Sequence, residues 1–143
     1  MILPVTLTAV GIAALLNIWL AIRVGQVRTK EKVSVGDGGN DRVIRRMRAH
    51  SNFSEFTPIV LILIALVEYS TGTSLWLWGV MALFSLGRIA HAFGMDGWEA
   101  GRGIGIVSTM LVTLGLGFYA LAIPHISGGQ IESGPVETIP VQG

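Results

Sequence analysis

Arg45, Arg48, Asn52 and Glu55 stand at intervals of 3, 4 and 3 along the chain, the spacing that lines side chains along one face of a helix. That face carries two guanidiniums, an amide and a carboxylate just before the uninterrupted apolar run that begins at Ile59. A carboxylate there is expensive: insertion scales put an acidic residue at the centre of a membrane helix at roughly 2.5–3.5 kcal/mol. Glu55 is therefore expected to face the interior of a helix bundle and to be paired. Two readings fit the stripe. In one, Glu55 meets an arginine of a neighbouring helix while Arg48 snorkels to the headgroups. In the other, the stripe holds a ligand of complementary charge.

A ligand that needs several arginines, an asparagine and a glutamate is one with two carboxylates and an ammonium, and glutathione answers that description. Guanidinium forks bind carboxylates bidentately, and a carboxylate such as Glu55 suits the α-ammonium. The thiol of such a ligand reacts as thiolate and needs a cation beside it to ionise near neutral pH. Arg102, in Gly101-Arg102-Gly103, stands at the expected start of a helix, where free N–H groups and the positive dipole end also favour an anion. The plainer reading of Arg102 is a positive membrane anchor. The chain has no cysteine, so any sulfur chemistry must come from the ligand.

The elements that position these residues follow from composition. Of 143 residues, 51% are hydrophobic and 13% charged, too apolar for an ordinary soluble domain. Residues 3–22 and 103–124 contain no charge, 75–87 is uncharged and extends past Arg88 to Phe93, and 56–67 continues backward into a polar helical stretch from Asp41. A spanning helix needs about 20 mostly apolar residues and pairs its own backbone in hydrocarbon. The expected fold is all-α: an integral membrane four-helix bundle over residues 1–126, antiparallel and up-down, with helices at about 3–28, 41–68, 74–95 and 100–124. Residues 127–143, rich in Gly and Pro, are expected to be a disordered tail. The start, Met1-Ile2-Leu3-Pro4, lacks the positive region of a cleaved signal peptide, so the first helix is expected to stay attached.

All ten Lys and Arg lie around the first and third connections or just inside them. By the positive-inside rule both termini are then outside, periplasmic in a bacterial inner membrane, and the charged stripe faces the cytoplasm. Asp41 is placed to cap the second helix, and residues 29–40, with Gly-Asp-Gly-Gly-Asn, read as a flexible loop. No charge is expected deep in the first, third or fourth helix, which speaks against a transport path.

The string Arg45-x-x-Arg48-Ala49-His50-x-Asn52-x-x-Glu55 with Pro58 resembles the signature of the membrane-associated proteins in eicosanoid and glutathione metabolism, the MAPEG family. Gly25-Gln26-Val27-Arg28 and Arg88-Ile89-Ala90-His91 resemble the ends of helices 1 and 3 in its prostaglandin E synthase branch. The chain looks like a bacterial member, with similarity over residues 1 to about 124. The resemblance implies a homotrimer with glutathione as cosubstrate at each subunit interface. It implies glutathione contacts from Arg28, Arg48, His50, Asn52, Glu55 and His91, with Arg102 as the catalytic arginine that stabilises the thiolate. The implied activity is a glutathione transferase or glutathione-dependent peroxidase acting on a lipophilic small molecule from the bilayer. Two positions depart from the family: Phe56 and Met95 stand where relatives often have tyrosine. The competing reading is a non-catalytic membrane protein of the same fold that binds lipid or a protein partner.

Asn17, mid-span in the first helix, is expected to make an interhelical hydrogen bond. His91 shares a face of the third helix with Arg88 and Met95, where packing or snorkelling is as good a reading as chemistry. His50, His91 and His125 show no metal-ligand spacing, and neither a metal nor a nucleic-acid partner is expected. Trp76, Trp78 and Tyr69 read as the outer aromatic belt and Trp98 as the inner one. The glycines of residues 101–105 and 115–117 read as a close-packing face.

Overall fold

The computed structural model describes residues 2–126, and the expected disordered tail lies outside the described residues. Four helices follow one another: α1 (Pro4–Glu31), α2 (Asp41–Thr71), α3 (Leu75–Met95) and α4 (Glu99–Ile126). Each is long and apolar enough to cross a membrane. The fold is an all-α four-helix bundle. Three-residue connections join α2 to α3 and α3 to α4, short enough to make those neighbours antiparallel.

The helix ends have local causes. Pro4 opens α1, where a missing N–H costs nothing. Its N-cap position, Leu3, has no oxygen to offer, so the cap comes from another helix: Glu68 of α2 accepts from the amides of Val5 at 3.0 Å and Thr6 at 2.8 Å. At its other end α1 runs three residues past the expected 28 and stops where Lys32 turns left-handed (φ 56°). Asn40, not Asp41, caps α2: its side chain accepts from the amides of Arg42 and Val43. Asp41 is already the first helical residue, so the oxygen that meets those amides is one position earlier. Asn40 also donates to Glu31 at 3.0 Å and Asp37 accepts from the Gly39 amide, which gives the first connection its own bonds where a flexible loop was expected. At the other end α2 continues to Thr71 and ends at Gly72, with φ at +81°.

The core has two parts. Val5, Val60, Ile64, Val67, Leu77 and Phe84 belong to the larger cluster, and Ala13, Leu20, Phe53 and Ala92 form a smaller one toward the basic end. Helices α3 and α4 approach most closely because both use small residues there. A Cβ on Gly105 would come within 2.3 Å of the His91 Cβ, and one on Gly94 within 2.1 Å of the Arg102 nitrogen. Where lipid is as apolar as leucine, such close approach is what holds helices together. Gly101 and Gly105 therefore form the packing face that was expected, whereas Gly103, Gly115 and Gly117 look onto open space. The backbones of α1 and α4 do not come close to each other. At the end opposite the basic one Trp76 meets Tyr119 edge-on, with ring centroids 5.3 Å apart.

Candidate functional site

The interior turns polar where α3 meets α2 and α4. Arg88 is 3% exposed, although it lies only seven residues from the end of α3. Its guanidinium donates to the Asn52 side-chain oxygen at 2.6 Å and to the Thr109 hydroxyl at 2.9 Å, and stands 3.5 Å from Nδ1 of His91. His91 is buried too. Neither residue snorkels: both side chains are held inside the bundle. The glycines explain the burial: Gly87 and Gly105 bring α4 so close that Arg88 has no room to bend out along the helix surface. No acidic residue pairs with Arg88 among the described residues.

The stripe on α2 is arranged differently from expectation. Arg45, Arg48 and Glu55 are exposed, and only Asn52 turns partly inward. The inward face of α2 is set by Val43, Ala49, Phe53, Thr57, Val60 and Ile64. Glu55 follows Phe53 by two positions, about 200° around the helix, and so points away from the bundle. The expectation that Glu55 faces the interior and is paired is overturned: among the described residues it makes no ion pair or side-chain hydrogen bond. Its neighbours on the outer surface are Ile59 and Ile62, both more than half exposed.

Arg102 is exposed on the first turns of α4. It shares a cleft of about 270 Å³ with Arg45, Glu99, Gly94, Met95 and Gly97. Two guanidiniums from different helices thus border one cavity. Arg28 is half-buried: one of its terminal nitrogens donates to the sulfur of Met47 at 3.4 Å, and its Nε is buried without a partner. His50 pairs with Asn17 of α1 at 2.8 Å, so the interhelical bond expected of Asn17 forms, with a residue assigned to the ligand. Within one chain the structure joins Asn52 to His91 through Arg88, and Arg45 to Arg102 through the cleft. Among the described residues Arg28, Arg48 and Glu55 make no hydrogen bond to Arg102 and do not line its cleft.

Beside this cleft a larger cavity of about 700 Å³ opens between the basic ends of the helices, bordered by Lys30, Arg42, Arg45, Arg46, Met95 and Asp96 among others. Asp96 is its anchor. It pairs with Arg23 of α1 and takes two bonds from Arg46 of α2, each 3.2 Å. Arg46 also donates to the carbonyl of Arg23 at 3.1 Å, and Arg23 lies over the Trp19 ring at 4.6 Å. Asp96 thereby fixes the turn into α4, and with it the position of Arg102, against two other helices.

Asp96 and Glu68 are polar residues to which the sequence assigned no role, and Arg88 is one it read only within a motif and a packing face. Arg88 carried a signal: an ionisable residue inside a spanning segment is costly enough to imply a partner. Asp96 and Glu68 sit at helix ends, where a charge needs no special account, and nothing in their spacing marked them.

The MAPEG family model matches residues 6–122. Two curated relatives, both "Inner membrane protein YecN", from Escherichia coli strains K12 and O6:H1, are 30% identical over 84 residues. That stretch is 58% of this chain and 63% of each relative, so the similarity spans less than two thirds of their length.

Proposed function

Because this chain belongs to the MAPEG family, we propose that it is a membrane-bound glutathione transferase or glutathione-dependent peroxidase of a bacterial inner membrane. In this reading the basic end faces the cytoplasm and both termini lie outside. Glutathione lies along the outward face of α2, with Glu55 taking its ammonium and Arg48, Asn52 and Arg28 its oxygens. His50 and His91 border the same region. Arg102 holds the sulfur as thiolate, aided by the positive end of α4. The thiolate then forms an S–C bond at an electrophilic carbon, displacing a leaving group or adding across a polarised double bond that takes up a proton; or it attacks the outer oxygen of a hydroperoxide, breaking O–O to give an alcohol and glutathione sulfenic acid, which a second glutathione converts to the disulfide and water. Either substrate arrives from the bilayer, and conjugation is the simpler of the two.

The observation that carries this reading is the pair of Glu55 and Arg48, exposed on one face of a membrane helix and without a side-chain partner among the described residues. A bundle that needed Glu55 only for folding would have turned it inward. A charge left at this depth is expensive unless something meets it. A ligand held between this face and a neighbouring copy meets it, and a homotrimer closes three such sites by symmetry.

A second reading, a non-catalytic binder of lipid or a protein partner, is favoured by Met95. That side chain borders both the Arg102 cleft and the larger cavity and offers no hydroxyl to a ligand; Phe56 offers none either.

Titration of glutathione into detergent-purified protein at neutral pH separates the two, followed by thermal stability and by thiolate absorbance in the ultraviolet. Stabilisation with a new thiolate band supports the enzyme. Neither signal sinks it in favour of the binder.

A further inference from the structure

Asn52 and Arg88 are locked together in a way that fixes what Asn52 can say to a ligand. A guanidinium has five N–H donors and no acceptor. At 2.6 Å from the Arg88 nitrogen, the Asn52 atom must be its oxygen, because the flipped amide would set two donors against each other. Arg88 has little freedom to release it. Its other terminal nitrogen donates to Thr109 at 2.9 Å, the Thr109 hydroxyl donates onward to the Gly105 carbonyl at 2.7 Å, and the side chain is buried, with Nε unpartnered among the described residues.

The other end of the amide is free. Asn52 Nδ2 has no hydrogen-bond partner among the described residues and is not among the sealed, unpartnered polar atoms. It is therefore not closed off by the bundle, and the helix position of Asn52 shares a face with Arg48 and Glu55.

We propose that Arg88 is a positioning residue that fixes Asn52 as a donor-only contact, so that the ligand group it meets is an oxygen acceptor, a carboxylate or peptide carbonyl. This deepens the glutathione reading and rests on it. An unpinned asparagine turns either end to its ligand and discriminates poorly. With Arg88 behind it, Asn52 donates while Glu55, three residues on, only accepts. Two adjacent side chains thus demand opposite groups, an oxygen beside an ammonium, which is the pattern of an amino acid and not of a simple anion. The Arg88 charge, which no carboxylate of the described residues compensates, also polarises the amide and strengthens its N–H donors.

The test uses full-length protein in detergent. Asn52→Asp keeps an acceptor for Arg88 and removes the outward donor. Its thermal stability should equal or exceed wild type while the Kd for glutathione rises at least tenfold. Arg88→Gln should raise Kd in the wild-type background but add nothing in an Asn52→Ala background, because its effect passes through Asn52. Equal binding by Asn52→Asp, or an equal cost of Arg88→Gln in both backgrounds, would overturn the proposal. A third readout needs no ligand: with asparagine selectively labelled with ¹⁵N, the Asn52 side-chain signal should shift on Arg88→Gln. An Asn52 signal indifferent to Arg88 sinks the positioning role even if glutathione binds. A wild type that ignores glutathione but shows the shift removes the glutathione reading and leaves the pinned amide in place.

Discussion

The Glu68 carboxylate takes both the backbone amide of Thr6, at 2.8 Å, and its hydroxyl, at 2.7 Å. The same carboxylate accepts from the Val5 amide and the Thr73 hydroxyl, so four donors converge on one side chain that is fully buried. A carboxylate at a helix N-terminus also meets the positive end of the dipole. The last turn of α2 thus caps the first turn of α1, across 62 residues of sequence.

Glu68→Gln should therefore destabilise the bundle although it removes no apolar contact. The amide keeps one acceptor and turns an N–H₂ toward donors, leaving at least one buried donor unmet at a cost of about 1–3 kcal/mol. Thermal unfolding in detergent measures it. An unchanged midpoint would mean that water replaces the lost bonds and that the cap is dispensable.

The α3–α4 contact makes a second prediction with its own control. Gly105→Val puts side-chain carbon where His91 Cβ would be 2.3 Å away and the Gly87 carbonyl 2.7 Å away. Such overpacking costs about 1–3 kcal/mol or more and should also disturb Arg88 and Thr109 beside it. Gly103→Ala, two residues earlier, meets nothing within 4 Å and should be neutral or slightly stabilising, since alanine is the better helix former. Equal effects from the two would show that helix propensity, not the close approach, governs α4.

How much of this was legible in the sequence depends on which interaction set each feature. The four spans were legible because the bilayer requires length and hydropathy, both properties of local sequence. The 3-4-3 stripe was legible as one helix face, but not which way it points. That direction depends on Phe53, Thr57 and Val60 finding partners on other helices, and an outward Glu55 makes sense only if something lies beyond the single chain. The pairing of His50 with Asn17 was half legible: Asn17 announced a partner, and only the packing of α1 on α2 chose it. Asp96 and Glu68 were least legible, because each acts across helices through a contact that no spacing encodes; Arg88 announced a need for partners but not which ones.

Arg102→Ala should keep the fold and lose the thiolate. The side chain is exposed and makes no hydrogen bond within the chain among the described residues, so truncation removes nothing that packs. If Arg102 ionises the sulfur, the ultraviolet band that wild type develops with glutathione should vanish while thermal stability stays put. A retained band would transfer that role to Arg45, the other guanidinium on the same cleft.

Glu55→Gln separates the two readings of the α2 stripe. A structural Glu55 would have a partner, and the variant would unfold more easily; in the structure it has none, so stability of the isolated bundle should be unaffected. The ligand reading predicts instead that glutathione binds about tenfold or more weakly, because the ammonium loses a charge-assisted bond. The comparison is best made in one titration that reports both quantities. Weaker binding at constant stability fits a carboxylate reserved for a ligand. Lower stability with the assembled protein, but not after dissociation into single chains, would place the partner of Glu55 on a neighbouring copy, and equal affinity would remove Glu55 from the ammonium site altogether.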